Sequence, residues 1–225
     1  MEQVINRTLT EEKVSELKFI DLGLPSGTKW ANMNIGATDE FDSGLYFHWG
    51  NTKGYASDEA WIEAKNTTNC VANVDIDSLS LWSKEHTTDG KLNNDVDAAY
   101  VYTNGKAKMP TPEQMQELID STDFEYVKIN YHFGYKFSSK SDLDKYIFIP
   151  VHPFFAESIM VNDGCTLLGG STFLWPSKKT IAEVIPTLAL FDNNNEASKL
   201  GLGNNTVGIL CFPRNYMIPI RAVEV

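Results

Sequence analysis

The apolar residues of this chain fall into short runs, each cut off by Gly, Pro or Asn: Leu45–Trp49, Phe124–Ile129, Tyr146–Ile149, Phe173–Trp175, Val184–Phe191, Thr206–Phe212 and Met217–Val225. Runs this short, rich in β-branched and aromatic side chains, read as strands. Helical spacing is rarer. Its best instance begins at Thr111, with Pro112 in the first helical position and Gln114 placed to close a capping box. Met115, Leu118 and Ile119 then make one apolar stripe, which predicts a helix over Pro112–Ser121 with Met115 in the core. A second start, Leu9-Thr10-Glu11-Glu12-Lys13-Val14, has Thr10 as N-cap and Leu9 able to staple onto Val14. A third, weaker pattern covers Asp58–Lys65 with Trp61 on its buried side. The polar stretches Asn66–Ala99 and Asp192–Asn205 read as surface loops. The expected class is α+β: short antiparallel sheets, two or three helices and long irregular loops.

Size and charge narrow the function classes. The chain has 225 residues, 42% hydrophobic and 12% aromatic, which is ample for a core. Its 30 acidic residues against 19 basic leave a net charge of -11, spread along the chain. A phosphate backbone would be repelled by that field, so nucleic acid is not an expected partner. No stretch approaches the roughly 20 apolar residues that cross a bilayer, and Met1–Lys18 lacks the apolar core of a secretory signal, so membrane insertion and export are not expected. Cys70, Cys165 and Cys211 are odd in number and far apart, which argues for reduced thiols rather than a disulfide framework. A bacterial cytoplasm fits, as does a virion assembled there and released by lysis.

Five segments carry a family likeness, and their order matters as much as their composition. Phe19-Ile20-Asp21-Leu22-Gly23-Leu24-Pro25-Ser26-Gly27-Thr28-Lys29-Trp30-Ala31 is followed by Asn34-Ile35-Gly36-Ala37 and by Gly44-Leu45-Tyr46-Phe47-His48-Trp49-Gly50. Lys108-Met109-Pro110-Thr111 then leads into Glu113-Gln114-Met115-Gln116-Glu117-Leu118, and Ile218-Pro219-Ile220-Arg221-Ala222-Val223 closes the chain. Taken together, these resemble the Fibrobacter succinogenes major paralogous domain family of Bacteroidota and their phages. That resemblance spans about Leu17 to Val225. It implies a C-type-lectin-like domain of the formylglycine-generating-enzyme type over residues 17–225, with residues 1–16 as an N-terminal arm for docking or oligomerisation. An arm helix packed on its own domain remains the alternative. Gly23, Gly27, Gly36, Gly44 and Gly50 suit tight turns or close contacts, and Trp30, Phe47 and Trp49 offer large buried area. Ala107, Asn51 and the loosely matching Leu174-Trp175-Pro176-Ser177 depart from the family pattern.

Catalytic chemistry finds little support. Formylglycine-generating enzymes use a cysteine pair that binds copper, and no close pair exists here. Val207, Ile209 and Cys211 alternate on one face of an expected strand, which predicts a buried structural Cys211. Nothing selects a thiol partner among His48, His86, His132 and His152: His48 reads as a scaffold imidazole within an apolar strand, and His152 as a strand-end residue. Asn162-Asp163-Gly164, Asp192-Asn193-Asn194-Asn195-Glu196 and the cluster Asp89, Asn93, Asn94, Asp95, Asp97 carry oxygen ligands without the spacing of a calcium loop and read as turns. No cofactor and no metal are expected.

Binding by loop surface is the remaining class. Related lectin-fold proteins present recognition residues just before the closing strand. Here that region holds Asn193, Asn194, Asn195, Asn204, Asn205, Asn215 and Tyr216, residue types that combine adaptable hydrogen bonding with an aromatic contact. Turn chemistry is the competing explanation for each Asn. Trp61, Trp82 and Tyr55 are a second aromatic set that could stack on a sugar, with burial as the alternative. The function expected is a non-catalytic attachment module on a phage fibre, tail or capsid. It would be homo-oligomeric, bind a host-surface protein or glycan through its loops, and meet other virion proteins through the arm. A host bacterial ligand-binding protein of the same family is the alternative, and an oxygenase a distant one.

Overall fold

The computed structural model describes residues 17–60, 83–152, 172–179, 185–190, 207–212, 214 and 216–225. The described chain is mixed α+β, mostly small antiparallel sheets with few helices. In order, the strands before the first helix are β1 (Phe19–Asp21), β2 (Lys29–Ala31), β3 (Tyr46–His48), β4 (Thr87–Thr88) and β5 (Lys91–Leu92). Then come α1 (Ala98–Tyr102), β6 (Ala107–Lys108), α2 (Pro112–Ser121), β7 (Thr122–Ile129), β8 (His132–Ser139) and β9 (Tyr146–Pro150). The last strands are β10 (Thr172–Leu174), β11 (Ile185–Leu190), β12 (Val207–Phe212), β13 (Met217–Pro219) and β14 (Val223–Glu224). Residues 57–60 and 83–86 are also helical, so the expected Asp58–Lys65 helix is present as far as it is described. The Met1–Glu16 arm, Trp61 and Trp82 lie outside the described residues.

The two ends of the chain interlock. β14 inserts between β2 and β6 in the sheet β1-β2-β14-β6, while β13 pairs with β3 in a separate two-stranded sheet. Met217–Val225 is therefore not the single strand expected. The chain changes sheets at Ile220–Ala222, where the Ile220 carbonyl accepts from Ile35 N–H and the Ala222 carbonyl from Ala31 N–H, both at 2.9 Å.

At the centre of that crossing Arg221 is completely buried. Its Nε donates to Asn34 Oδ1 (2.8 Å), one terminal nitrogen to the Ala31 carbonyl (3.1 Å) and the other to the Phe148 carbonyl (2.8 Å). Burial lowers its pKa to about 9, opposed by the negative charge of Glu40, so the guanidinium stays charged at neutral pH.

Two meanders complete the framework, β7-β8-β9 and β10-β11-β12. In the second, β10 and β11 are buried on both faces, while β12 is half-covered. Phe173, Trp175, Ile185 and Ala189 face one apolar cluster, with Phe47, Trp49 and Ile218. Leu174, Leu188 and Leu190 face the other, with Trp30, Met115, Leu118 and Phe137. Period-two alternation on a strand covered on both sides explains why Leu188-Ala189-Leu190 is apolar throughout.

α2 begins as its sequence predicts. Gln114 N–H donates to the Thr111 hydroxyl (3.2 Å), and Thr111 N–H donates to the Gln114 side-chain oxygen (2.9 Å). Met115 and Leu118 are fully buried, each contributing about 1.5–3 kcal/mol, and the helix packs on β11 and β12. Its outer face holds the Leu24–Thr28 turn, where Ser26 N–H and hydroxyl both donate to the Glu117 carboxylate (2.8 and 2.5 Å).

All five motif glycines, Gly23, Gly27, Gly36, Gly44 and Gly50, adopt positive φ between 72° and 78°. Gly44 shows the constraint most sharply, since a Cβ there would lie 2.5 Å from the Ile35 carbonyl oxygen.

The polar stretch Asn66–Ala99, expected as loop throughout, contains secondary structure in its described part. Asp89-Gly90 turns the β4–β5 hairpin with φ of 53° and 77°, as an Asp-Gly pair between strands does. Asn93 Oδ1 accepts from the Thr88 hydroxyl (2.8 Å).

Asp97 caps α1. Its buried carboxylate accepts from Tyr100 N–H (3.0 Å) and, through both oxygens, from Met109 N–H (3.1 and 3.2 Å). Burial holds its pKa above the ordinary range, against the lowering effect of those N–H donors. Folding thus favours the protonated form, and the stability associated with that proton is lost as pH rises through the folded value. Asp97→Asn, which keeps an oxygen for both donors without the buried charge, is expected to match wild type within ~1 kcal/mol at neutral pH. As pH falls through that raised value, wild type should gain on the variant. Urea titrations at several pH values measure this, and wild type losing ground on acidification would contradict it.

Candidate functional site

Of the expected recognition residues, Tyr216 is described, and Asn193, Asn194, Asn195, Asn204, Asn205 and Asn215 lie outside the described residues. Tyr216 is half-buried against the first apolar cluster, its ring 5.5 Å from that of Phe212, and burial raises the pKa of its hydroxyl. It is thus partly an anchor.

The strand register also separates the set. Leu190 pairs with Val207, so residues 191–206 leave and re-enter at one end of the β11–β12 pair. Phe212 pairs with Ile185 at the other end, next to Tyr216. Five residue steps along a strand span about 17 Å. The roots of the Asn-rich segment therefore lie at the end of the strand pair away from Tyr216.

Cys211 is exposed, which corrects the expectation of a buried thiol. The alternation itself holds, since Val207 and Ile209 pack on the second cluster and Leu210 and Phe212 on the first. Cover is what fails: Cys211 lies on the Val207–Ile209 face, but near the far end of the strand, where that face opens to solvent.

His48 sits in β3 as expected. His152, two residues beyond β9, is buried, hydrogen-bonded to the Thr172 hydroxyl and edge-on to the Tyr46 ring at 6.0 Å. Tyr55 is buried, with Lys53 Nζ 4.4 Å from its ring centre, so it offers no open face to a sugar. Among the described residues no group of three or more His, Cys, Asp and Glu side chains is placed to hold a metal ion.

A second surface was missed in the sequence. β7 and β8 form a long hairpin closed by Asn130-Tyr131, both at positive φ (45° and 69°), between the paired Ile129 and His132. One face carries a line of rings running outward from the core: Phe124 with Phe137 (5.7 Å), Tyr126 with Tyr135 (5.2 Å), and Tyr126 stacked on Phe133 (5.8 Å, 12°). At the end stand Phe133, 49% exposed, and Tyr131, 91% exposed. Lys128 Nζ lies between them, 5.0 Å from the Phe133 ring centre and 5.7 Å from that of Tyr131. On the opposite face Phe41 stacks on His132 (4.9 Å) and meets Phe148 edge-on (5.3 Å). The alternation His132-Phe133-Gly134-Tyr135-Lys136-Phe137 after Asn130 is the signal that could have identified β8.

Comparison of the chain with family models, with curated proteins and with solved structures gave no match.

Proposed function

We propose that this protein is a non-catalytic attachment module with a C-type-lectin-like scaffold, carried on a phage particle, that binds a host-surface protein or glycan through its C-terminal loops. The observation that carries the reading is the Leu190–Val207 pair. Residues 191–206 are rooted at one end in β11, which is buried on both faces, and at the other in β12, whose residues pack on both apolar clusters, so a long polar segment is held by a rigid base. Rigid strands beneath a variable connection allow recognition residues to change without cost to the core. The interlocked chain ends strengthen that base, because β13 and β14 pair with the earliest strands.

Fluorescently labelled full-length protein, assayed by flow cytometry on a panel of Bacteroidota strains, tests the proposal. Staining of a subset of strains is expected. It should be lost when Asn193, Asn194, Asn195, Asn204 and Asn205 are all replaced by Ala, with no change in melting temperature. Absence of staining on every strain, or undiminished staining by the variant, would overturn it.

A further inference from the structure

We infer that the tip of the β7–β8 hairpin is a binding site for an acidic glycan, one carrying uronate or sialate carboxylates. It stands on different elements from residues 193–216 and does not rest on their role. The turn itself is the first observation. A two-residue hairpin turn with both centres at positive φ favours Asn-Gly, and here Tyr131 holds the second place. A bulky residue in that region costs about 1–2 kcal/mol, and a ring 91% exposed recovers almost nothing through burial. Fold stability therefore does not account for Tyr131.

Lys128 is the second observation. Among the described residues no carboxylate lies within ion-pair distance of it, as holds for several other lysines; what sets it apart is its place beside two exposed rings. Its ammonium group lies over both exposed rings, 5.0 Å from the centre of Phe133 and 5.7 Å from that of Tyr131. The tip therefore offers an apolar ring surface, one unpaired cation and the Asn130 amide within a single turn.

Size selects the ligand class. A two-residue turn and its neighbours cover far less than the roughly 800 Å² per partner of a stable protein interface. A pyranose unit fits instead: its C–H face packs on an aromatic ring, its hydroxyls meet the Asn130 amide, and a ring carboxylate meets Lys128. The line of rings back to Phe137 and the Phe41–His132 stack fix the tip before any ligand arrives, which lowers the entropy cost of binding.

Titrating trigalacturonate, sialyllactose and neutral cellotriose into the isotopically labelled full chain, followed by NMR, tests this. Millimolar amounts of at least one acidic probe should shift Tyr131, Phe133 and Lys128, with cellotriose weaker by about tenfold. Lys128→Gln should abolish the preference for the acidic probe. Tyr131→Gly should abolish binding while raising the melting temperature, since it creates the favoured Asn-Gly turn; a loss of binding cannot then be ascribed to unfolding. The inference is overturned if neither acidic probe shifts the tip, if cellotriose binds equally well, or if binding survives Tyr131→Gly.

Discussion

Replacing Arg221 with Ala is expected to destabilise the fold by about 3–5 kcal/mol, a large part of the 5–15 kcal/mol that holds a typical domain together. The buried guanidinium supplies donors to Asn34, Ala31 and Phe148, and all three acceptors would be left without them in a dry site. A cavity the size of the lost side chain adds to the penalty. Arg221→Met separates the two contributions, because it fills most of the volume and removes the buried charge but leaves the acceptors unsatisfied. It should fall between wild type and Ala. Arg221→Lys keeps the charge but replaces a planar fork with a single ammonium that cannot span three divergent acceptors, so it should recover little. Urea denaturation of the three variants measures the series. An Ala variant within about 1 kcal/mol of wild type would mean that the crossing of β13 into β14 does not depend on this side chain.

That dependence could not be read from the sequence. Arg221 stands in Ile218-Pro219-Ile220-Arg221-Ala222-Val223 like a polar residue on the open face of an edge strand, and its acceptors are distant in the chain. By contrast, every contact that marks the start of α2 lies within three residues of Thr111, so the cap, the box and the apolar stripe were legible together. The five motif glycines were legible for a related reason, since positive φ is a local demand that few other residues meet. Strand β8 was obscured because Gly134 and Lys136 interrupt its apolar positions. A Cβ at Gly134 would lie 2.3 Å from the Phe148 ring, a tertiary requirement that resembles a loop signal when read locally.

The candidate sites divide along the same line. Period-two alternation correctly assigned the faces of β12, but alternation cannot say how far along a strand the cover extends, and Cys211 lies where it ends. Asn193 and Tyr216 are near in sequence, but the segments that carry them leave β12 at opposite ends, a relation that only the strand pairing shows. The hairpin tip at Tyr131 went unseen for the converse reason. Its residues are ordinary aromatics in sequence, and only the pairing of Lys128 with Phe133 brings them together.

Trp175 and Trp49 hold a junction where a second large effect is expected. The Trp175 indole N–H donates to the Phe47 carbonyl and the Trp49 indole N–H to the Pro176 carbonyl, both at 2.8 Å, so each tryptophan ties its own segment to the backbone of the other. The same segment is held along its length: Trp175 N–H donates to the Pro219 carbonyl (3.2 Å), Ser177 N–H to the Pro110 carbonyl (2.7 Å), and Leu92 N–H to the Ser177 carbonyl (2.8 Å). Residues 172–179 therefore join β3, β13, the approach to α2 and the β4–β5 hairpin. Trp175→Ala should cost about 3–5 kcal/mol through the cavity it leaves. Trp175→Phe keeps most of the apolar area but leaves the Phe47 carbonyl without its indole donor, which predicts a loss of about 1–3 kcal/mol. Trp49→Phe should behave alike. Because both bonds clamp one junction, loss of the first loosens the geometry that the second requires, and the double Phe variant should cost less than the sum of the two single variants by about 0.5–3 kcal/mol. A double-mutant cycle by urea denaturation measures that difference. Strict additivity would show that the two tryptophans act as independent pieces of core rather than as one reciprocal clamp.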